Sequence, residues 1–218
     1  MTPTRFDALI PPCPFGDYVR ETFPVGVIGT NCSLLFFEES GLLAIIDPGG
    51  DAKKIVAAAR AYPAKRVVVL LTHAHVDHIW ALGEVARQLN VEAVRLDPAD
   101  LPLYQSPSNQ LPLYLPAARD LPNTVAELDC PGMKTLSLPG HTPGGAGYYF
   151  PEQKWLFSGD TIFERSVGRT DLPGGDWPTL QRSIREVIYR LPDDTAIFCG
   201  HGEPTSVGEE KRENPYVR

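Results

Sequence analysis

Three of the five histidines in this chain stand within LLTHAHVDH, residues 70–78, directly after an apolar run. Side chains alternate along an extended segment, so His73, His75 and Asp77 face one side. A turn at Asp77 and His78 swings both toward the same space. Imidazole nitrogen and carboxylate oxygen at this density suit zinc or another first-row metal. The other two histidines are His141 in LPGHTPGG and His201 in CGHGEP, and a further aspartate, Asp160, lies in FSGDTIF. Each follows a strand-like run with glycine beside it, which lets the backbone bend and leaves room for a ligand. Metal lowers the pKa of a bound water to near neutrality, and two metals can share one hydroxide suited to attack on a carbonyl carbon. One metal also polarises the carbonyl oxygen. Asp77 is placed to steer that hydroxide or accept its proton. With every histidine committed, no Ser-His-Asp arrangement is needed, and the chemistry expected is metal-dependent hydrolysis.

The elements that must position these groups alternate between strand and helix. Strands are expected over 25–37, 42–46, 65–71 and 91–96, the run KRVVVLL at 65–71 being β-branched and buried. Between them, Asp51 is expected to cap a helix ended by Pro63, and the apolar spacing at 79, 82, 85, 86 and 89 predicts a second helix. After residue 132 strands are expected over 133–138, 146–150, 154–158 and 195–200. A helix over 176–191 is capped by Asp176, with Pro178 in its first turn, and SVGEEKREN reads as a short capped helix. Residues 98–122 hold six prolines and a repeated LPLY. They read as a proline-punctuated loop with short helical turns, or as a lid or substrate wall. No linker parts the halves, so one domain over 1–218 is expected, built as two packed sheets with helices outside.

Composition narrows the classes. Hydrophobic residues make up 43% and charged residues 22%, and the net charge is −7. An acidic balance argues against nucleic acid as a partner. No apolar run approaches the ~20 residues of a membrane span. The N-terminal stretch lacks the basic start and apolar core of a signal peptide. A cytoplasmic protein with no membrane partner is expected. Cys13, Cys32, Cys130 and Cys199 form no CxxC pair and read as reduced thiols. Cys199, two positions before His201, reads as a buried structural thiol rather than a ligand.

THAHVDH, LPGHTPGG, SGDTIF and CGHGEPT, in this order, resemble the motifs of the metallo-β-lactamase superfamily. GDTIFERSVGRTDLPGGD is similar to its glyoxalase II-like and persulfide dioxygenase-like branches. With GHGEPTSVGEEKRENPYV, the resemblance is closest to short, single-domain hydroxyacylglutathione hydrolase-like proteins. It implies a four-layer αββα sandwich. It also implies that His73, His75 and His141 hold one metal, that Asp77, His78 and His201 hold a second, and that Asp160 bridges the two. Asp47 in IIDPG matches a family aspartate that supports the site without ligating; as plain sequence it reads equally as a turn residue. Two zinc ions are implied, with iron or a mixed zinc–iron pair as alternatives. The substrate implied is a small-molecule thioester of the S-2-hydroxyacylglutathione type. Arg165, Arg169, Lys211 and Arg212 are candidates for gripping its carboxylates, or else sit in solvated or structural ion pairs. GRTD sets Arg169 near Asp171, which makes a local pair plausible. The chain ends soon after His201, so the C-terminal helical domain with which two-domain glyoxalase II enzymes grip glutathione is not expected.

Rival readings use the same residues. Persulfide dioxygenase-like relatives share GRTD and use one iron, held by residues matching His73, His141 and Asp160; two histidines and a carboxylate suit non-haem iron. The GHGEPT ending favours the hydrolase. A lactonase or other esterase fits the same site. A superfamily nuclease is disfavoured by the acidic balance, and a purely structural metal protein by the complete ligand set.

Overall fold

Apolar runs without polar interruption need cover on both faces, and in this chain they form the middles of two sheets. The computed structural model describes residues 18–111 and 113–217, and Cys13 lies outside them. The described residues form two compact units, one within Asp17–Pro131 and the other within Gly132–Arg218.

The first unit holds a five-stranded sheet of β1 (Tyr18–Val25), β2 (Thr30–Phe37), β3 (Leu42–Ile46), β4 (Arg66–Leu70) and β5 (Ala93–Arg95), in that spatial order. Strands β1 to β3 are antiparallel, and β3, β4 and β5 run parallel. Edge strand β1 is only half-buried, whereas every residue of β3 is buried. Helices α1 (Ala52–Ala59) and α3 (Leu82–Leu89) place Ile55, Val56, Leu82 and Val85 in the core with Leu43, Ile45 and Val69. Because β3 and β4 are parallel and pair Ile46 with Leu70, the loops that begin at Asp47 and Leu71 leave the sheet at one end. The carboxyl ends of parallel strands are where such sheets build sites.

Three expectations are corrected here. The strand-like run 25–37 is two strands, β1 ending and β2 beginning, because Gly26 and Gly29 take positive φ of 72° and 71° and turn the chain between them. Asp51 stands before α1, yet its side chain makes no capping bond; it takes φ +48° and its carboxylate accepts from Gly26 N–H at 2.9 Å. The β1–β2 turn has claimed the acceptor. The helix expected over 79–89 is two pieces, α2 (Val76–Ile79) and α3, broken at Trp80–Ala81. Ala81 N–H goes to the Pro48 carbonyl at 3.1 Å instead of continuing the α2 ladder.

The second unit is a five-stranded sheet in the order β12 (Thr205–Ser206), β11 (Ala196–Cys199), β8 (Trp155–Gly159), β7 (Ala146–Phe150), β6 (Lys134–Ser137), with a small ribbon of β9 (Ile162–Phe163) and β10 (Ser166–Val167). Only β8 and β11 of this sheet run parallel. Their following loops, which carry Asp160 and His201, therefore leave at one end, and Gly200 N–H donates to the Gly159 carbonyl at 2.8 Å. Asp176 caps α5 (Trp177–Arg182) through Thr179 N–H at 2.9 Å. The run to 191 is not one α-helix: Ser183–Val187 widens to π geometry and Ile188–Arg190 tightens to 3-10. Ser206 caps α6 (Val207–Glu213) through Glu209 N–H.

In the proline-punctuated segment a 3-10 turn, Pro98–Asp100, runs into a one-turn helix, α4 (Leu101–Tyr104). With residues 116–124 it walls a cavity of about 910 Å³ in the first unit. Among the described residues, no helix is long and apolar enough to cross a membrane.

Candidate functional site

Asp47, Thr72, His73 and His78 form a buried chain of hydrogen bonds at the end of the first sheet. Asp47, 1% exposed, takes φ +49°, and this left-handed turn aims its carboxylate across at the β4 loop. Its Oδ1 accepts Thr72 N–H at 2.8 Å. Its Oδ2 accepts the Thr72 hydroxyl at 2.6 Å and lies 2.9 Å from His78 Nδ1. An ionised carboxylate only accepts, so His78 Nδ1 carries the proton and its Nε2 presents a lone pair. The Thr72 hydroxyl has spent its one proton on Asp47. The contact of 3.1 Å between Thr72 Oγ1 and His73 Nδ1 therefore needs a proton on His73 Nδ1, which places the ring's lone pair on Nε2. One carboxylate thus fixes two tautomers.

The two rings stand 4.1 Å apart, and His75 meets His73 edge-on at 4.9 Å. Ligand atoms of Asp47, His73 and His78 fall within 4.8 Å of one another. Asp47 already accepts three bonds, an arrangement suited to orienting the rings beside it. Asp77 Oδ2 lies 3.3 Å from His78 Nε2 and accepts the Thr30 hydroxyl at 3.3 Å. Gly49 makes the close approach possible: a Cβ there would lie 1.7 Å from the Asp77 carbonyl oxygen.

In the second unit His141, 5% exposed, has Nδ1 2.7 Å from the main-chain carbonyl of Arg169. A carbonyl only accepts, so the proton sits on Nδ1 and Nε2 is the ligating atom. Asp160 Oδ2 lies 3.6 Å from His141 Nε2 and 3.6 Å from His201 Nε2. Bonds of ~2.1 Å at a tetrahedral metal set a ligand-to-ligand separation of about 3.4 Å. One carboxylate oxygen equidistant from two such nitrogens stands close to ligand spacing from each, and the donor set fits metal. Gly168 packs against the same groups, since a Cβ there would lie 1.8 Å from the Asp160 carbonyl oxygen and 3.2 Å from His141 Nδ1.

Three of the four cationic candidates, Arg165, Arg169 and Lys211, are placed in ion pairs. Arg169 makes a bidentate pair with Asp171 at 2.7 Å for both bonds, and this hydrogen-bonded guanidinium pulls the Asp171 carboxyl down to about 2. Arg165 reaches Glu213 at 2.7 Å and Glu209 at 3.7 Å. Lys211 reaches Asp193 at 2.6 Å. Arg212 is exposed beside Gly208. Arg169 and Asp171 also line a cavity of about 370 Å³ with Trp177 and Tyr216.

Among the described cysteines, Cys32, Cys130 and Cys199 are buried and carry no disulfide. Burial raises the Cys199 thiol pKa far above its ordinary value, and the negative charges of Glu210 and Asp160 add to this. Burial likewise pushes Cys130 up to about 12. Neither is a ready thiolate ligand.

Sequence reasoning missed Thr72, the glycines Gly49 and Gly168, and the carbonyl of Arg169. Thr72 and Gly168 adjoin motif residues and Gly49 follows Asp47-Pro48, so spacing offered a signal for them. The carbonyl offered none, because every residue has one.

The family model described as the metallo-beta-lactamase superfamily matches residues 25–201. The chain is 37% identical over 211 residues to hydroxyacylglutathione hydrolase GloC of Haemophilus influenzae, spanning 90% of this chain and 97% of that protein. Among solved structures, the B3 metallo-β-lactamase BLEG-1 matches with a TM-score of 0.80 at 33% identity, over 91% of this chain and 99% of that one. TTHA1623, solved in a di-iron-bound form, matches with a TM-score of 0.77 at 37% identity, over 89% and 100%. The two mixed sheets with their helices have the metallo-β-lactamase fold, in the α/β sandwich class expected from the motifs.

Proposed function

The chain belongs to the metallo-β-lactamase superfamily of metal-dependent hydrolases, and from that premise we propose that it hydrolyses a thioester of the S-2-hydroxyacylglutathione type. The observation that carries the metal chemistry is Asp160 Oδ2, set 3.6 Å from the Nε2 atoms of both His141 and His201. The thioester rests on the relative named for that activity, matched over nearly its whole length.

In this reading His73, His75 and His141 would hold one metal, Asp77, His78 and His201 would hold the other, and Asp160 would serve both. When bound, the metals lower the pKa of a coordinated water toward neutrality and polarise the substrate carbonyl. Asp47 keeps the protons of His78 and, through Thr72, of His73 on Nδ1. The Arg169 carbonyl does the same for His141. Asp77, fixed by Thr30, accepts the proton released as water adds to the carbonyl carbon. The carbon–sulfur bond then breaks, giving a carboxylic acid and a thiol. The substrate is a small molecule, and no nucleic acid or membrane partner is invoked. Zinc is the metal proposed; a relative solved with two irons makes iron, or a mixed pair, the alternative occupant.

Elemental analysis of protein purified without added metal tests this first. About two metals per chain, and release of thiol from S-lactoylglutathione, are expected. One iron per chain, with oxygen consumed on glutathione persulfide and no thioester cleavage, would replace the hydrolase with a dioxygenase. Asp160→Ala is expected to lose both metal and turnover; full retention of both would remove the bridging role.

A further inference from the structure

Ala74 stands between the two histidines of HAH, beyond the end of β4. Two buried side chains bond its backbone. Ala74 N–H donates to Asp100 Oδ2 at 3.0 Å, and the Ala74 carbonyl accepts from Asn109 Nδ2 at 2.7 Å. Ala74 and Asp100 are 0% exposed and Asn109 is 7% exposed. Both grips come from the proline-punctuated segment. Asp100 closes the 3-10 turn that Asp97 caps through Ala99 N–H at 3.0 Å. Asn109 is set by a turn in which its own N–H donates to the Ser106 carbonyl at 3.1 Å. The Tyr104 hydroxyl bonds the Pro122 carbonyl at 2.8 Å and ties the segment to its returning arm.

Holding the N–H and C=O of one residue fixes the peptide planes on both of its sides. Those planes carry the Cα atoms of His73 and His75. We propose that Asp100 and Asn109 are positioning residues for the metal ligands His73 and His75, acting by clamping Ala74. The proline-rich segment is then the part of the chain that holds HAH in place, with its rings 4.9 Å apart. Prolines suit this task, since they lower the freedom of the segment that presents the two grips. The inference rests on the ligand assignment proposed above.

The test is zinc affinity of the metal-free protein, read by competition with a chromophoric chelator, with the melting temperature recorded alongside. Groups that orient metal ligands typically shift affinity by roughly 10- to 100-fold, and Asp100→Ala is expected in that range. Asn109→Ala is expected to lose about tenfold, at the lower end of the same range. Asp100→Asn still offers an oxygen to Ala74 N–H and is expected to recover most of the affinity. Val85→Ala, in the core of the same unit, is the control: it is expected to lower the melting temperature and leave zinc affinity as in the wild type. Amide exchange across residues 73–76 of the metal-free Asn109→Ala protein is expected to quicken.

Wild-type zinc affinity in folded Asn109→Ala and Asp100→Ala overturns the clamp, as does an equal loss in Val85→Ala. If Asp100→Ala does not fold, Asn109→Ala and Asp100→Asn decide. Wild-type protein that binds no zinc overturns the ligand assignment itself, and that measurement stands apart from every variant.

Discussion

His78 and His141 each give one ring nitrogen to an acceptor that sets the tautomer, but the acceptors differ in kind. For His78 it is the side chain of Asp47, at 2.9 Å. For His141 it is the main-chain carbonyl of Arg169, at 2.7 Å. In the first unit the acceptors and donors that meet these motifs are buried carboxylates and an amide; in the second it is backbone, closely packed at Gly168. The two designs expose different weaknesses. A side-chain acceptor is lost by one substitution at its own position. A carbonyl survives any substitution at its residue and is moved only by displacing the chain.

The sharpest way to break this contrast is Gly168→Ala. The added carbon must push the loop away from both Asp160 and His141, so metal affinity is expected to fall by about 100-fold or more, beyond the usual outer-group effect. Chelator competition reads it, and near wild-type affinity would show that the carbonyl of Arg169 does not orient His141. Asp47→Ala is the matching change in the first unit and is expected to cost roughly 10- to 100-fold in affinity. It also leaves Thr72 N–H and His78 Nδ1 without an acceptor, a loss of about 1–3 kcal/mol for each buried group, measurable by chemical denaturation.

Arg169→Ala is expected to do least, because only the carbonyl of that residue meets His141. Metal affinity should stay within measurement error. What changes is Asp171: with the guanidinium gone, its carboxyl should titrate near the ordinary value of about 3.9 instead of about 2, as seen by carboxyl NMR. The pair stabilises the fold above the ordinary carboxylate pKa, and that contribution fades as pH falls toward 2. Both groups are exposed, so it is small and screened by salt. A sharp rise in KM with metal content intact would instead place Arg169 in contact with substrate.

The ligand types were legible in the chain because the information is local. Imidazoles and carboxylates at strand ends, flanked by glycine, announce a metal site whatever the surroundings. The parallel pairs that bring two loops to one sheet end were legible only as runs of β-branched residues; which strands neighbour each other was not. Helix breaks and caps were misread where a distant group intervened, as when Pro48 took Ala81 N–H and Gly26 took the Asp51 carboxylate. The role of residues 98–122 was not legible either, since the grips on Ala74 come from side chains 26 and 35 positions away. The sequence by itself determined which atoms can ligate and what chemistry they suit. The tertiary structure decided which nitrogen of His73, His78 and His141 carries the proton and what holds those rings in place. Those depend on single hydrogen bonds between residues about 30 positions apart, such as His78 with Asp47 and His141 with Arg169, and spacing along the chain carries no trace of them.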